Sequence, residues 1–317
     1  MLTTTTTHRL KENRKRKYVL DLKKNWTVYC MFIPVIVFYV MFHYRPMAGI
    51  MIAFKDYKPA LGIWSSPWTT RGGFKHFISF FQGMYFARTV RNTIFISLLN
   101  IVFSFPTPII LAIMLSELRN QKFKRVMQTV TYFPHFISSV VVAGMLTQFC
   151  LSDGLFNYFR SLLGLSAKSM LQEPSMFRTI YIGQGVWSSV GWNSIIYLAA
   201  ITSIDTQLYE AAAIDGAKRW QRILHITVPG IKGTVVILFI LQIGRMMSVG
   251  SDMILLLYNP TTYETADVIS TYVYRKGMLE ADYSFSTAVN LFNSVINFTL
   301  VYAANFLSSK ATEVSLF

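Results

Sequence analysis

Amide and hydroxyl side chains recur at helical spacing in an apolar stretch near the C-terminus. Four of them are separated by four, three and four positions: Ser286, Asn290, Asn293 and Asn297. A helix would place all four on one face. Polar groups within a membrane are costly and usually face a water-filled cavity or another helix. This stripe could therefore hydrogen-bond the hydroxyl groups of a sugar, or it could tie neighbouring helices together.

A second candidate site combines aromatic and amide side chains in another apolar stretch, at Trp187, Trp192 and Asn193. Aromatic rings can pack against the apolar face of a sugar ring, while an amide binds its hydroxyl groups. The same side chains could instead pack between helices. Further along, Arg245 and Asp252 are seven residues apart, which predicts a structural ion pair, with a substrate contact by Arg245 as the alternative.

Several kinds of reactive site are missing from the sequence. It contains no Gly-x-x-x-x-Gly-Lys-Ser/Thr phosphate loop, so we expect no ATPase activity from this chain. Its five histidines do not show metal-ligand spacing. We therefore predict neither a catalytic nor a metal site.

The composition indicates a membrane protein. Of the 317 residues, 53% are hydrophobic and 14% are charged, whereas about a quarter are charged in a typical soluble domain. Apolar runs of roughly 20 residues are long enough to cross a bilayer as helices. We predict an all-α protein with six transmembrane helices over residues 26–44, 92–115, 126–151, 178–204, 233–258 and 285–307.

The basic residues predict the orientation in the bilayer. Because each span crosses the membrane in the opposite direction to the one before, four segments are predicted to lie on the same side of the membrane. These segments, 1–25, 116–125, 205–232 and 310–317, hold more than half of the 30 Lys and Arg side chains. Cytoplasmic segments carry such an excess, so both termini are predicted to be cytoplasmic. The net charge of +15 then needs no nucleic-acid partner. We interpret the first apolar run as an uncleaved span, with a secretory signal peptide as the alternative.

These runs divide the chain into four predicted regions. A basic cytoplasmic segment and a first span with an external or interfacial loop precede a five-helix core and a short cytoplasmic tail. Their bounds are 1–25, 26–88, 89–309 and 310–317.

The cytoplasmic loop 205–232 is predicted to form two helices joined by a turn. Asp205 or Thr206 can cap the first helix, and Gly216 can adopt the left-handed conformation that ends it. The second helix carries a stripe with helical spacing and is predicted to end at Pro229. The stripe consists of Trp220, Ile223, Leu224 and Thr227.

The loop resembles the hallmark cytoplasmic loop of permease subunits in binding-protein-dependent ABC importers. The matching residues, at the family's spacing, are Glu210, Ala211, Ala212, Gly216, Ile226 and Pro229. Val228 stands where leucine is usual, and Gly233 where a second proline is frequent. Residues 46–50, 53–57, 120–125 and 132–138 also resemble the permeases that transport complex oligosaccharides.

The resemblance implies a six-span, type I ABC importer permease with the MetI-like fold, in the bacterial cell membrane. Such a permease would pair with a second homologous permease, two ATPase subunits and an extracellular solute-binding protein. It would move an oligosaccharide by alternating access and would bind no cofactor, because ATP and Mg²⁺ would bind to the ATPase subunits.

The resemblance also implies roles for residues in the loop. Glu210 would pair with a basic group of the ATPase, the alanines at 211–213 would allow close docking, and Gly216 would permit the turn. The implied coupling residues are Glu210, Ala211, Ala212, Ala213, Asp215 and Gly216.

Two alternatives come from other functional classes. An ion-coupled secondary sugar transporter would normally carry carboxylates within its spans, where this sequence offers only Asp252. A membrane-embedded transferase would need an acidic or metal constellation, for which Asp205 and Asp215 form a weak candidate pair. Co-isolation with an ATPase would distinguish the importer from both.

Overall fold

The computed structural model describes residues 21, 23–312 and 315–316. Predictions for most of the basic segment 1–25 and for Phe317 therefore lie outside the described residues. Within them the chain is helical, and its β-structure is limited to one isolated antiparallel bridge between Lys55 and Trp68.

The longer α-helices are numbered in chain order. Those of seven or more residues are α1 (Trp26–Tyr39), α2 (Lys75–Phe81), α3 (Phe86–Leu99), α4 (Pro106–Ser116), α5 (Gln121–Tyr132), α6 (Ser139–Phe149), α7 (Leu155–Leu162), α8 (Pro174–Thr202), α9 (Thr206–Ile214), α10 (Lys232–Ile243), α11 (Ser251–Leu257) and α12 (Tyr283–Thr312).

Shorter helical segments join several of these helices. The short α-helical segments are Arg45–Met47, Gly62–Ser65, Arg219–Arg222, Val228–Gly230, Tyr263–Ala266 and Ile269–Tyr274. The π-helical segments are Val40–Tyr44, Asn100–Ser104, Ile223–Thr227 and Arg275–Leu279. The 3₁₀ segments are Ala48–Phe54, Arg71–Gly73, Phe133–Phe136, Met170–Gln172 and Pro260–Thr262.

Three helical runs in the described residues are long and apolar enough to cross a membrane: Trp26–Phe54, Phe86–Ser116 and Tyr283–Lys310. They contain the first, second and sixth predicted spans. Two bent helix pairs would raise the number to five if each is one span. The fourth predicted span corresponds to α8, a single helix of 29 residues.

The third predicted span is wrong as a continuous helix. Residues 126–151 instead fall into α5 and α6, which meet at an angle of 96°. The break follows the 3₁₀ turn that contains Pro134, where Ile137 is extended. The Ser138 hydroxyl then accepts a hydrogen bond from the Val140 amide at 3.3 Å and caps α6. A proline followed by a good N-cap residue explains why this apolar run bends.

The fifth predicted span, 233–258, is also interrupted. α10 ends at Ile243, a turn follows, and α11 begins only at Ser251. At Gly244 a Cβ atom would lie 2.2 Å from Cγ2 of Val301, so this turn packs tightly against α12. The interruption removes the helical register between Arg245 and Asp252, and the predicted ion pair between them is absent from the described residues.

Helix α8 lies at the centre of the described structure and takes part in two buried clusters. One cluster joins its Phe177 to α3 and α11, through Ile96 and Ile254. The other joins its Tyr197 to α4 and to Ile231, the residue before α10. These apolar contacts pack α3, α4, α10 and α11 against α8.

Residues 259–283 are fastened to the helices by a buried carboxylate. Asp267 is fully buried and accepts hydrogen bonds from Arg88 at 2.9 Å and from Arg275 at 2.7 and 2.8 Å. Burial disfavours the charged form of Arg275, but its hydrogen bonds to Asp267 outweigh this and raise its pKa. Asn92 adds hydrogen bonds to the carbonyls of Glu264 and Asp267. The segment is therefore anchored to α3.

Candidate functional site

A cavity of about 460 Å³ opens between the run α3–α4, helix α8 and the end of α10. Helix α8 lines it with residues one turn apart, and the turn after α10 closes one side. Its polar lining side chains are Ser97, Asn100, Ser104, Ser189, Asn193, Gln242, Arg245 and Ser248. The lining contains apolar residues from the same helices and no carboxylate.

Some of the polar lining is bonded within the chain. The Ser104 hydroxyl donates to the Asn100 side-chain oxygen at 3.1 Å, and the Ser97 hydroxyl donates to the Met246 carbonyl. By contrast, the side chains of Asn193, Gln242 and Arg245 have no hydrogen-bond or ion-pair partner in the described part of the chain. These three groups are free to bind a polar molecule that enters the cavity.

Of the second candidate site, which comprises Trp187, Trp192 and Asn193, only Asn193 lines the cavity. Trp192, the next residue back, stacks on the His135 ring with centroids 4.5 Å apart and contacts Phe136 edge-on. Trp187 is 44% exposed and lies outside the cavity lining. Trp192 thus packs α8 against the α5–α6 bend.

The predicted stripe on α12 does not line the cavity. Ser286 donates to the Val273 carbonyl, and Asn297 donates to Ser248 at 2.8 Å while accepting from the Met247 amide at 3.0 Å. Asn293 is buried and its side-chain oxygen lacks a partner among the described residues, whereas Asn290 is exposed. The contacts of Ser286 and Asn297 fit interhelical ties, and a substrate role for Asn290 and Asn293 stays a prediction.

Several cavity residues were not predicted from the sequence. Ser97, Asn100 and Ser104 have the same three-and-four spacing as the α12 stripe, so helical periodicity in the second span could have identified them. Gln242, near the end of α10, was also not predicted. It lies three residues before Arg245, for which a substrate contact was the alternative to an ion pair. Because residues three apart share a helix face, this spacing could have indicated Gln242.

The loop 205–232, which is predicted to be cytoplasmic, forms the predicted helix, turn and second helix. The Asp205 carboxylate caps α9 by accepting from the Gln207 amide at 2.9 Å. Gly216 has a φ of 77°, and the amides of Gly216 and Ala217 donate to the carbonyls of Ala213 and Ala212 at 3.2 and 2.9 Å. This is the Schellman arrangement that ends helices at a left-handed glycine.

The second half of the loop departs in part from its predicted pattern. Ile223 and Thr227 are buried, but Trp220 is 74% exposed and Leu224 is also exposed. The predicted stripe therefore divides between two faces. Pro229 does not end the helical segment, which continues to Gly230 and bends by 59° into α10.

Side-chain contacts join the two halves of this helical hairpin, which we define as residues 205–230, and hold it against the rest of the chain. The Tyr209 and Thr227 hydroxyls are 2.9 Å apart and connect its two halves. Arg219 forms an ion pair with Glu117 and also donates to its carbonyl, which joins the hairpin to the link between α4 and α5. Two segments predicted to be cytoplasmic thus lie together.

The outer face of α9 is available to another protein. Glu210, Ala211, Ala213 and Asp215 are exposed, and Ala212 is half-buried. Ile214 is 87% exposed and Leu208 is 54% exposed. A small-residue helix flanked by exposed apolar side chains fits a protein-binding surface better than a surface that contacts only water.

Comparisons with known proteins agree with this architecture. Residues 104–312 match the family described as "Binding-protein-dependent transport system inner membrane component". Protein LplB of Bacillus subtilis (strain 168) is 39% identical over 301 residues, which cover 95% of this chain and 94% of LplB. The polygalacturonan/rhamnogalacturonan transport system permease protein YteP of the same organism is 41% identical over 308 residues, covering 97% and 95%.

Solved structures show the same relationship. The crystal structure of a bacterial ABC transporter involved in the import of the acidic polysaccharide alginate contains a chain with a TM-score of 0.85 and 43% identity. The match covers 93% of this chain and 99% of that one. The same transporter type in complex with an alginate pentasaccharide-bound periplasmic protein matches with a TM-score of 0.85 and 42% identity, covering 93% and 98%.

The hairpin, the helical architecture and these similarities agree on one family. Members are membrane-embedded transport subunits and are not themselves enzymes. The chain belongs to the inner membrane components of binding-protein-dependent transport systems and is a permease subunit of the carbohydrate ABC importer family.

Proposed function

We propose that this permease moves an oligosaccharide across the bacterial cell membrane by alternating access. The observation that carries the proposal is the cavity between α3–α4, α8 and α10, where Asn193 and Gln242 present free amides. Amides can both donate to and accept from sugar hydroxyls. Apolar side chains beside them, such as Ile196 and Leu238, would contact the ring faces.

Similar proteins support a carbohydrate as the substrate. The name of YteP refers to polygalacturonan and rhamnogalacturonan, and the structural neighbour was crystallised as an alginate importer. We infer an oligosaccharide for this chain because both relatives match along nearly its whole length.

The energy for transport would come from separate subunits. In this proposal α9 docks in a cleft of an ATPase subunit, Glu210 pairs with a basic residue there, and Ala211, Ala212 and Ala213 allow a close approach. Asp215 and Gly216 form the turn that sets the direction of the second half of the hairpin. ATP and Mg²⁺ would bind to the ATPase subunits only.

The complete importer would contain this chain, a second homologous permease, two ATPase subunits and an extracellular solute-binding protein. Both termini and the hairpin would be cytoplasmic, and residues 259–283 would face outward to receive the loaded binding protein. The structure of the alginate importer with its periplasmic protein provides a precedent for such an assembly.

An ion-coupled secondary transporter is not favoured. Such a protein would normally carry a carboxylate in its substrate cavity, and here the lining contains none. Asp252 lies in the first turn of α11, outside the cavity.

The proposal is tested by purifying the chain from its native membrane and reconstituting the co-purified complex in proteoliposomes. We expect an ATPase subunit to co-purify, and oligosaccharide uptake to require both ATP and the binding protein. Ionophores that collapse the proton and sodium gradients should leave uptake unchanged. Uptake that stops with the ionophore and continues without ATP would refute the proposal.

A further inference from the structure

Arg245 is a positive charge at an unusual place in the molecule. It lies in the turn directly after α10, and its amide donates to the Gln242 carbonyl at 3.1 Å, which keeps both residues at one end of the cavity. Its side chain is exposed to this cavity and has no partner in the described part of the chain. Charged side chains at membrane depth are costly and usually mark a substrate or ion pathway.

The surroundings provide no carboxylate for Arg245. The cavity lining contains no Asp or Glu. Asp252, the nearest carboxylate along the chain, instead accepts a hydrogen bond from the Ser251 hydroxyl at 3.2 Å. The guanidinium group therefore remains free for an anion that enters from outside the chain.

A second positive region lies farther along two of the same helices. Arg91 of α3 and Arg178 of α8 donate to the carbonyls of Glu264 and Thr265 at 3.4 and 3.3 Å. Arg88 and Arg275 lie beside them on Asp267. This region holds four arginines and only two carboxylates, those of Glu264 and Asp267. It therefore carries a net charge of about +2 near the predicted outer ends of α3 and α8.

We propose that the transported oligosaccharide is acidic, carrying uronic-acid carboxylates, and that Arg245 binds one of these carboxylates inside the cavity. This inference rests on the proposed transport function and names its substrate class. A guanidinium group suits the role because it can donate two parallel hydrogen bonds to one carboxylate. Asn193 and Gln242 would then bind hydroxyl groups of the same or the next sugar unit, and the outer arginines would raise the local concentration of the anion.

The test compares two probes with the same sugar units and hydroxyl groups, a uronic-acid trisaccharide and its fully esterified, neutral methyl ester. Uptake of each is measured with the complete transporter in proteoliposomes, for the wild type, Arg245→Gln and Arg245→Lys. The same binding protein is used throughout, so that its own preference cancels when variant and wild type are compared. Arg119→Gln is the matched control, because Arg119 is exposed outside the cavity.

We expect Arg245→Gln to lower uptake of the acid about tenfold or more, as expected for the loss of hydrogen bonds between charged groups. Uptake of the ester should change less than twofold. Arg245→Lys should retain part of the preference, because it keeps the charge but loses the bidentate geometry. Arg119→Gln should leave both rates unchanged.

Three outcomes would overturn the inference. Equal losses of uptake for both probes in Arg245→Gln would show that Arg245 does not bind the carboxylate. Loss of subunit assembly in Arg245→Gln, rescued by Arg245→Lys, would assign Arg245 to an ion pair with the partner permease. Wild-type uptake confined to neutral oligosaccharides would refute an acidic substrate while leaving the transport function intact. Absence of any carbohydrate uptake by the wild type would instead refute the proposed function.

Discussion

Gly216 ends α9 in a conformation that most residues resist. Its φ of 77° is left-handed, and a Cβ atom placed there would meet nothing within 4 Å. The requirement is therefore conformational and not one of space. A β-branched residue in this conformation costs about 1–2 kcal/mol.

Gly216→Val should therefore distort the turn of the hairpin and uncouple the ATPase from transport. We expect insertion into the membrane to be normal, since the residue lies outside the spans. The measurement is oligosaccharide uptake per ATP hydrolysed in proteoliposomes. Gly216→Asn is the control, because asparagine tolerates the left-handed region. Wild-type coupling in the valine variant would contradict the role assigned to this turn.

Asp267 is the residue on which the attachment of segment 259–283 depends most. Its replacement by asparagine should leave Arg88 and Arg275 without their shared anion. Breaking a buried ion pair costs about 3–5 kcal/mol, and we expect the lower end because both arginines are partly exposed.

Thermal unfolding of the purified transporter in detergent measures this effect, with a lowered Tm as the expected result. Glu264→Gln makes the same chemical change at an exposed side chain and should shift the Tm only slightly. Equal shifts for the two variants would show that the charge cluster contributes no more than a surface carboxylate.

Residue identity predicted part of the site and could not predict the rest. The capping roles of Asp205 and Gly216 follow from local chemistry, and the structure confirms them. Asn193 lines the cavity, and its contact with a sugar stays a prediction. The aromatic ring of Trp192 was predicted to contact a sugar ring, but in the structure it stacks on His135. Which side of a helix faces a cavity depends on contacts between distant segments, which spacing along one helix does not contain.

At the scale of elements, the close approach of α5 and α8 depends on a glycine. A Cβ atom at Gly191 would lie 2.0 Å from the carbonyl oxygen of Thr131, and backbone atoms cannot move aside as a flexible side chain can. Glycine at this position lets the two helices pack directly against one another.

Gly191→Ala should separate α5 from α8 and destabilise the protein by about 1–3 kcal/mol, the usual cost of overpacking. Gly183→Ala is a matched control on the same helix, since nothing lies within 4 Å of its Cβ position. Alanine is the better helix former, so the control should be neutral or slightly stabilising. Thermal unfolding compares the two, and equal stability would refute the contact.

The elements also show where the apolar pattern was insufficient. Length and hydropathy predicted the runs that became α3–α4 and α12, because these are nearly uninterrupted. They missed the breaks within the third and fifth predicted spans. Those breaks depend on Pro134 with its following N-cap and on the packing of Gly244 against α12, which an average over 20 residues does not detect.

At the scale of the whole molecule, the orientation in the bilayer remains a prediction. We expect cysteines placed at Ser166 and Thr261 to react with an impermeant thiol reagent on intact cells, and one at Asp215 to react only after permeabilisation. All three positions are exposed. Cys30 and Cys150 are replaced first, because both thiols are free. Labelling at Asp215 on intact cells would contradict a cytoplasmic hairpin.

The cavity beside α8 is the proposed path of the sugar. It is tested most directly by substrate protection of a cysteine at Asn193, in the complete transporter lacking Cys30 and Cys150. Val295→Cys, exposed on α12 outside the cavity, is the control, and Asn290→Cys tests the α12 stripe. We predict that bound oligosaccharide slows thiol labelling at position 193 and leaves position 295 unchanged. Equal labelling rates at position 193 with and without oligosaccharide would show that the cavity is not the path of the sugar.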